Sequence, residues 1–133
     1  MIKVQINHLG LLNYSENKAK KFYADILGFK EQYRFSLSAN EARSIFGIPQ
    51  DIQVLVLAGE QIKLEIFIVP KGVEFNPAVN HVCLTIADRS AIAEQCRKSG
   101  FTVLELERNG KRLIFVKDEA GNIFELKEIE SKN

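Results

Sequence analysis

The two histidines of this chain lie at matching places in an internal repeat. Ile6-Asn7-His8-Leu9-Gly10-Leu11 aligns with Val79-Asn80-His81-Val82-Cys83-Leu84 at an offset of 73 residues. Two glutamates match in the same way, since Leu64-Glu65-Ile66 aligns with Phe124-Glu125-Leu126 at an offset of 60. A single strand histidine is more often a core or surface residue, and a strand glutamate usually lies on a solvated face. The joint placement of four such side chains among apolar neighbours, where a carboxylate is costly to bury unless paired, favours a metal site.

Two imidazoles and two carboxylates form a donor set of hard to borderline character. Such a set suits an octahedral divalent ion such as Ni, Zn, Co, Fe or Mn, and it leaves two positions for water or substrate. The sequence therefore predicts a site built from His8, Glu65, His81 and Glu125.

The elements that would position these residues repeat as well. Each histidine strand is followed by an amphipathic helix, predicted over residues 15–27 and 89–99, and both helices end at a Gly-Phe pair, Gly28-Phe29 and Gly100-Phe101. Strands are predicted over 31–36, 52–58 and 61–69 in the first half and over 101–107, 112–117 and 122–129 in the second, where Asn109-Gly110 is typical of a type I′ hairpin. The N-terminal residues 1–6 also alternate like a strand.

The predicted fold class is α+β, with two tandem β-α-β-β-β units whose sheets form a shared cup. One such unit leaves one sheet face uncovered, which explains why two are needed. We expect a single domain over 1–133, with the first unit at about 1–69, a linker at 70–78 and the second unit at about 79–130. The offset falls from 72 at the Gly-Phe pairs to 60 at the glutamates, so the first half holds about twelve extra residues around 37–50.

Composition excludes several classes of protein. The chain has 133 residues with 46% hydrophobic residues and a formal net charge of +1, which offers no electrostatic footprint for nucleic acid or an anionic membrane. No apolar run reaches the roughly 20 residues that a membrane helix needs. Two cysteines make no disulfide framework. We therefore expect a cytoplasmic protein that binds a small molecule, with no nucleic-acid or membrane partner.

The repeat resembles the vicinal oxygen chelate superfamily, which includes glyoxalase I, extradiol dioxygenases and bleomycin-resistance proteins. The resemblance covers nearly the whole chain and depends on His8, Phe22-Tyr23, Leu27-Gly28-Phe29, His81 and the run from Asp118 to Leu126. That run, Asp-Glu-Ala-Gly-Asn-Ile-Phe-Glu-Leu, is similar to the family's closing Asp-Pro-Asp-Gly-Asn-x-x-Glu-Leu signature, with Glu119 at the usual proline. A full His-Glu-His-Glu set is most similar to bacterial glyoxalase I (lactoylglutathione lyase).

The resemblance implies a metal-dependent lyase or isomerase that moves a proton between adjacent carbons of a chelated substrate through an enediolate. Glu125 would be the base, and Glu65 a ligand or second base. It also implies a homodimer in which His8 and Glu65 of one chain meet His81 and Glu125 of the other.

Two alternatives remain open at this point. Positions associated with glutathione binding in glyoxalase I hold Leu12 and Val69 here, so the substrate need not be a glutathione adduct. The alternatives are an acyl-CoA epimerase of the methylmalonyl-CoA epimerase type and a non-catalytic small-molecule binding or resistance protein.

Cys83 shares the strand face of His81 and is either a thiol near the metal or a small core residue, whereas Cys96 is expected in the core.

Overall fold

A computed structural model describes residues 2–3 and 5–129 of the chain. It divides into two compact units, Met1–Glu74 and Phe75–Asn133, and each contains one four-stranded sheet. The strand order is β1-β4-β3-β2 in the first unit and β5-β8-β7-β6 in the second. The predicted α+β fold of two tandem β-α-β-β-β units is therefore confirmed. The 70–78 linker and the unit boundaries remain predictions, and Glu130, at the predicted end of the second unit, lies outside the described residues.

The first unit contains strands β1 (His8–Asn13), β2 (Lys30–Leu37), β3 (Ile52–Ala58) and β4 (Lys63–Ile68). Its first helical stretch consists of α1 (Glu16–Ala19) and a π-helical segment (Lys20–Ile26), and a further helix, α2 (Ala39–Phe46), follows β2. Ser15 caps α1 by accepting a hydrogen bond from the Lys18 amide.

The second unit contains strands β5 (His81–Ile86), β6 (Thr102–Arg108), β7 (Lys111–Lys117) and β8 (Ile123–Glu128), with helix α3 (Arg89–Lys98) after β5. Asn109 and Gly110 have φ values of 52° and 77°, as the predicted type I′ turn between β6 and β7 requires. None of the helices in the described part of the chain is long and apolar enough to cross a membrane.

One prediction about secondary structure is wrong. The described residues before His8, 2–3 and 5–7, form no strand, and Met1 and Val4 lie outside the described set. The first helix lies where it was predicted, and it is π-helical over most of its length. Its apolar stripe buries Ala19, Phe22, Tyr23 and Ile26, and a stripe of this kind marks the buried face without fixing the hydrogen-bond pattern beneath it.

Each sheet has one face covered by its first helix and a second face that carries the candidate ligands. In the first unit, Arg34 on β2 pairs with Glu16 of α1 at 2.9 Å, which places the helical stretch on the face opposite Tyr33 and Phe35. In the second unit, Arg97 of α3 pairs with Glu105 on β6 at 2.9 Å. We call the faces that carry Glu65 and Glu125 the site faces.

Candidate functional site

His8 and Glu65 are in direct contact on the site face of the first unit. Strands β1 and β4 run parallel, and the pairing of Gly10 with Glu65 brings the carboxylate beside the histidine two residues back along β1. His8 Nε2 lies 3.2 Å from Glu65 Oε1, and the two side chains are 40% and 18% exposed.

The other ring nitrogen of His8 also faces an oxygen. His8 Nδ1 lies 2.9 Å from Asn7 Oδ1, and an amide oxygen only accepts hydrogen bonds. When Nδ1 donates its proton there, a neutral ring presents the Nε2 lone pair to the Glu65 carboxylate. Two acceptors at 3.2 Å repel each other unless a proton or a cation lies between them. A proton on Nε2 or a cation between the two groups would remove this repulsion.

The second unit repeats this register residue for residue. His81 pairs with Ile123 and Cys83 with Glu125 in the parallel β5–β8 ladder, as His8 pairs with Lys63 and Gly10 with Glu65 in β1–β4. His81 is exposed, and its Nδ1 donates to the Val79 carbonyl at 2.8 Å. Because a carbonyl only accepts, this bond fixes the proton on Nδ1 and leaves Nε2 free to bind a metal.

The structure brings the four predicted ligands together only in part. His8 contacts Glu65, whereas His81 and Glu125 share a sheet face on neighbouring strands without a described contact. Within residues 2–3 and 5–129, no group of three or more His, Cys, Asp or Glu side chains is arranged to hold a metal ion. Each unit thus supplies one pair of donors, fewer than a divalent cation requires.

Helix α2 covers the far end of the site face in the first unit. Ala42 of this helix is fully buried with Ile52 and Val54 of β3, and the ring centroids of Phe46 and Phe67 lie 5.0 Å apart. The extra residues around 37–50 therefore form a helix on the same face as Glu65. A capping box starts it, since Ser38 and Glu41 each accept a hydrogen bond from the other's backbone amide.

The two residues at the glutathione positions belong to this covered core. Val69 is 2% exposed beside Ala42, and Leu12 is partly buried against the same cluster. Both side chains are packing residues of the first unit, so neither is available as a polar contact for a tripeptide.

The two cysteines differ in environment. Cys83 is exposed and lies directly across the β5–β8 ladder from Glu125, so the expectation of a small core residue is wrong. Cys96 is buried in α3 as predicted, and burial raises the pKa of its thiol to about 11.

Sequence reasoning missed a basic groove in the second unit. The groove has a volume of ≈ 700 Å³, is lined by Glu125 and Glu128, and rests on Leu113 and Phe115. Five cationic side chains surround it: Arg89, Arg108, Lys111, Arg112 and Lys127. They come from three strands and a helix, and no local spacing in the sequence signals their convergence.

Comparison with known proteins identifies the family. The model of the glyoxalase/bleomycin resistance protein/dioxygenase superfamily matches residues 7–116, and the chain belongs to this superfamily, as the resemblance predicted. Members are often metal-dependent enzymes that bind small molecules, and many form dimers. No curated protein sequence is significantly similar to the chain.

Solved structures agree on the fold at low sequence identity. The trypanothione-dependent glyoxalase I of Leishmania major has a TM-score of 0.70 and 18% identity, covering 95% of this chain and 87% of that one. The fosfomycin resistance protein FosX of Listeria monocytogenes has a TM-score of 0.70 and 19% identity, covering 97% and 96%. A glyoxalase family protein of Bacillus cereus has a TM-score of 0.70 and 16% identity, covering 96% and 95%.

Proposed function

We propose that this protein is a metal-dependent lyase or isomerase of the glyoxalase I type, which moves a proton between adjacent carbons of a small-molecule substrate. The observation that carries the proposal is the identical register of His8–Glu65 and His81–Glu125 in the two units. Two matched pairs of one imidazole and one carboxylate are the donor set that a divalent cation takes with positions left for substrate.

His8, Glu65, His81 and Glu125 would hold the divalent ion. When bound, the ion supplies Lewis-acid stabilisation of the negative charge that develops on substrate oxygens as a neighbouring C–H proton leaves. The hydrogen bond of His81 suits it to bind the ion, because Nδ1 donates to the Val79 carbonyl and leaves Nε2 as the ligand atom.

Glu125 is our candidate for the base. Its side chain has no hydrogen bond or ion pair with another described residue and lines the ≈ 700 Å³ groove, whereas the Glu65 carboxylate lies 3.2 Å from His8 Nε2. A carboxylate that faces a groove can take a proton from one carbon and return it to the next, which typically contributes about 10²–10⁴-fold to the rate. Glu65 would act as ligand or second base.

We further propose a homodimer in which His8 and Glu65 of one chain meet His81 and Glu125 of the other. Each unit by itself offers two donors, and exchange of units between chains would join the two pairs. Native mass spectrometry with and without metal tests this homodimer. A monomer that binds the ion tightly would contradict the proposal.

The first experiment is metal analysis of protein purified without chelator or histidine tag. We expect close to one divalent ion per chain, lost in His8→Ala and in His81→Ala. Absence of metal, with no uptake of added Ni, Co, Zn or Mn, would refute the metal site and leave a non-catalytic binding protein.

The second experiment is turnover by the metal-loaded protein of a hemithioacetal of glutathione and methylglyoxal, and racemisation of a 2-methyl-branched acyl-CoA. Burial of Leu12 and Val69 favours a substrate other than the glutathione adduct. With whichever substrate is turned over, Glu125→Gln should lower kcat by about 10²-fold or more. The matched control Glu107→Gln, an exposed glutamate on β6, should leave kcat unchanged. Equal kcat in both variants would refute the assignment of the base.

A further inference from the structure

The basic groove opens where strands β7 and β8 separate. Their antiparallel pairing runs from Lys117–Ile123 to Ile114–Leu126 and ends there. Continuing the register would place Leu113 opposite Lys127 and Arg112 opposite Glu128, but these residues are unpaired across the gap and line the groove instead. The groove is therefore built into the end of the sheet that carries Glu125.

The first unit closes the equivalent place with its own helix. Phe67 corresponds to Lys127 at the offset of 60 residues, and it packs against Phe46 of α2. The second unit has no helix between β6 and β7, which are joined by the Asn109-Gly110 turn. A position filled by two aromatic rings in one half is thus open and cationic in the other.

The groove carries a larger positive charge than the chain as a whole. Five cations and two carboxylates give a groove charge of +3, whereas the net charge of the whole chain is +1. Like charges repel, so gathering them in one concavity raises the local positive potential and attracts anions.

Two of the cations are anchored and three are free. Arg89 Nη1 donates to the Leu126 carbonyl at 3.2 Å, and Arg112 Nη2 donates to Ser90 Oγ at 2.6 Å. The side chains of Arg108, Lys111 and Lys127 have no hydrogen bond or ion pair with any other residue in the described part of the chain. Anchored guanidinium groups provide shape, and the free cations have donors left for a ligand.

We propose that this groove binds the anionic head group of the substrate, a carboxylate or phosphoryl group attached to an apolar body that rests on Leu113 and Phe115. Lys127 and Glu125 lie on the same face of β8, two residues and therefore about 7 Å apart. The head group would thus lie a few bonds from the carbon whose proton Glu125 takes. The inference rests on the proposed function for the role of Glu125, and the anion site itself can be tested separately.

The test is equilibrium binding to chelator-dialysed, metal-free protein by isothermal titration calorimetry at constant ionic strength. The probes are phenylphosphonate, benzoate and benzamide, which share a ring and carry a phosphoryl, a carboxylate or no charge. We expect saturable binding of at least one of the two anions and little binding of benzamide. The preferred anion identifies the head group.

Variants assign that binding to the groove. Loss of one charge-assisted contact should weaken the preferred anion by about tenfold in Lys127→Gln and in Arg108→Gln. The control Lys98→Gln removes an exposed cation of α3 outside the groove and should change affinity less than twofold. Equal binding of benzamide, or the same loss in all three variants, would overturn the proposal.

The two proposals fail in distinguishable ways. Anion binding in metal-free protein that shows no metal uptake and no turnover would refute the enzyme but retain the groove. Metal uptake and turnover by Lys127→Gln with the kcat and KM of the unmodified chain would refute the groove and retain the enzyme.

Discussion

Loss of the Asp118 carboxylate, in the turn that leads into β8, should lower the free energy of unfolding strongly. This side chain is 5% exposed and accepts three hydrogen bonds: from the Asn122 amide at 2.8 Å, from the Ala120 amide at 3.0 Å and from Asn122 Nδ2 at 2.7 Å. Asp118→Ala leaves these donors without their acceptor inside the protein. Because a hydrogen bond to a charged group contributes about 1.5–3 kcal/mol and the three share one carboxylate, we expect a loss of about 3–4 kcal/mol in the free energy of unfolding.

Asp118→Asn should be intermediate between the unmodified chain and Asp118→Ala. It keeps one oxygen for the backbone amides but opposes an NH₂ group to Asn122 Nδ2, so we expect a loss of about 1.5–2 kcal/mol. Asp25→Ala is the control, since Asp25 is an exposed carboxylate of the first helical stretch and its removal should cost less than about 0.5 kcal/mol.

Urea unfolding followed by circular dichroism measures these differences, because the chain has no tryptophan. A thermal scan should show Tm lower by roughly 10 °C in Asp118→Ala. A loss below 1 kcal/mol in Asp118→Ala, or equal losses in the two Asp118 variants, would refute the reasoning that this carboxylate stabilises the turn through its hydrogen bonds.

Three further predictions concern packing, pH and thiol chemistry. A Cβ on Gly59 would lie 2.6 Å from Cε1 of the buried Phe29 ring, so Gly59→Ala should lower the free energy of unfolding by about 1–3 kcal/mol. Gly72→Ala is the control and should change the free energy of unfolding little, because a Cβ on Gly72 would have no atom within 4 Å. Equal losses in the two variants would contradict this prediction. Hydrogen bonds from the Ser38 backbone and side chain lower the pKa of Glu41 below 4.5, so the stability that Glu41 contributes is fully present above that pH and is lost as pH falls through the lowered pKa. Denaturant titrations of the unmodified chain and Glu41→Ala should therefore converge in acid, and a constant difference down to the lowest pH would count against the capping interaction. Finally, a thiol reagent at pH 8 should label Cys83 quickly in the native protein and Cys96 slowly, because Cys83 is exposed and burial raises the pKa of Cys96 to about 11. Two fast-reacting thiols in the unmodified chain, or one fast-reacting thiol in Cys83→Ser, would show that this assignment is wrong.

The repeat made most of the fold predictable, because the offsets of 73 and 60 residues placed each histidine and glutamate on strands that the structure pairs in identical register. Local spacing could not reveal the π-helical segment, since the same buried stripe fits either helix type. It also could not show that α2 lies on the site face, because tertiary packing of Ala42 and Phe46 decides this. The groove was missed for the same reason: the contributions of Arg89, Arg108 and Lys127 depend on where distant strands separate. The His8–Glu65 contact was predicted as part of a larger set whose assembly remains a proposal.

The strand order gives the histidine and the glutamate of each unit unequal local stability. β1 and β5, which carry the histidines, are edge strands joined to the sheet by one ladder, whereas β4 and β8, which carry the glutamates, are held on both sides. An edge strand can detach by breaking one row of hydrogen bonds, so amide hydrogen exchange should be faster in β1 and β5 than in β4 and β8. His8 can thus move away from Glu65 without global unfolding. A cation bound between a histidine and a glutamate would join an edge strand to a central strand. Cation binding should therefore slow amide hydrogen exchange along β1 and β5.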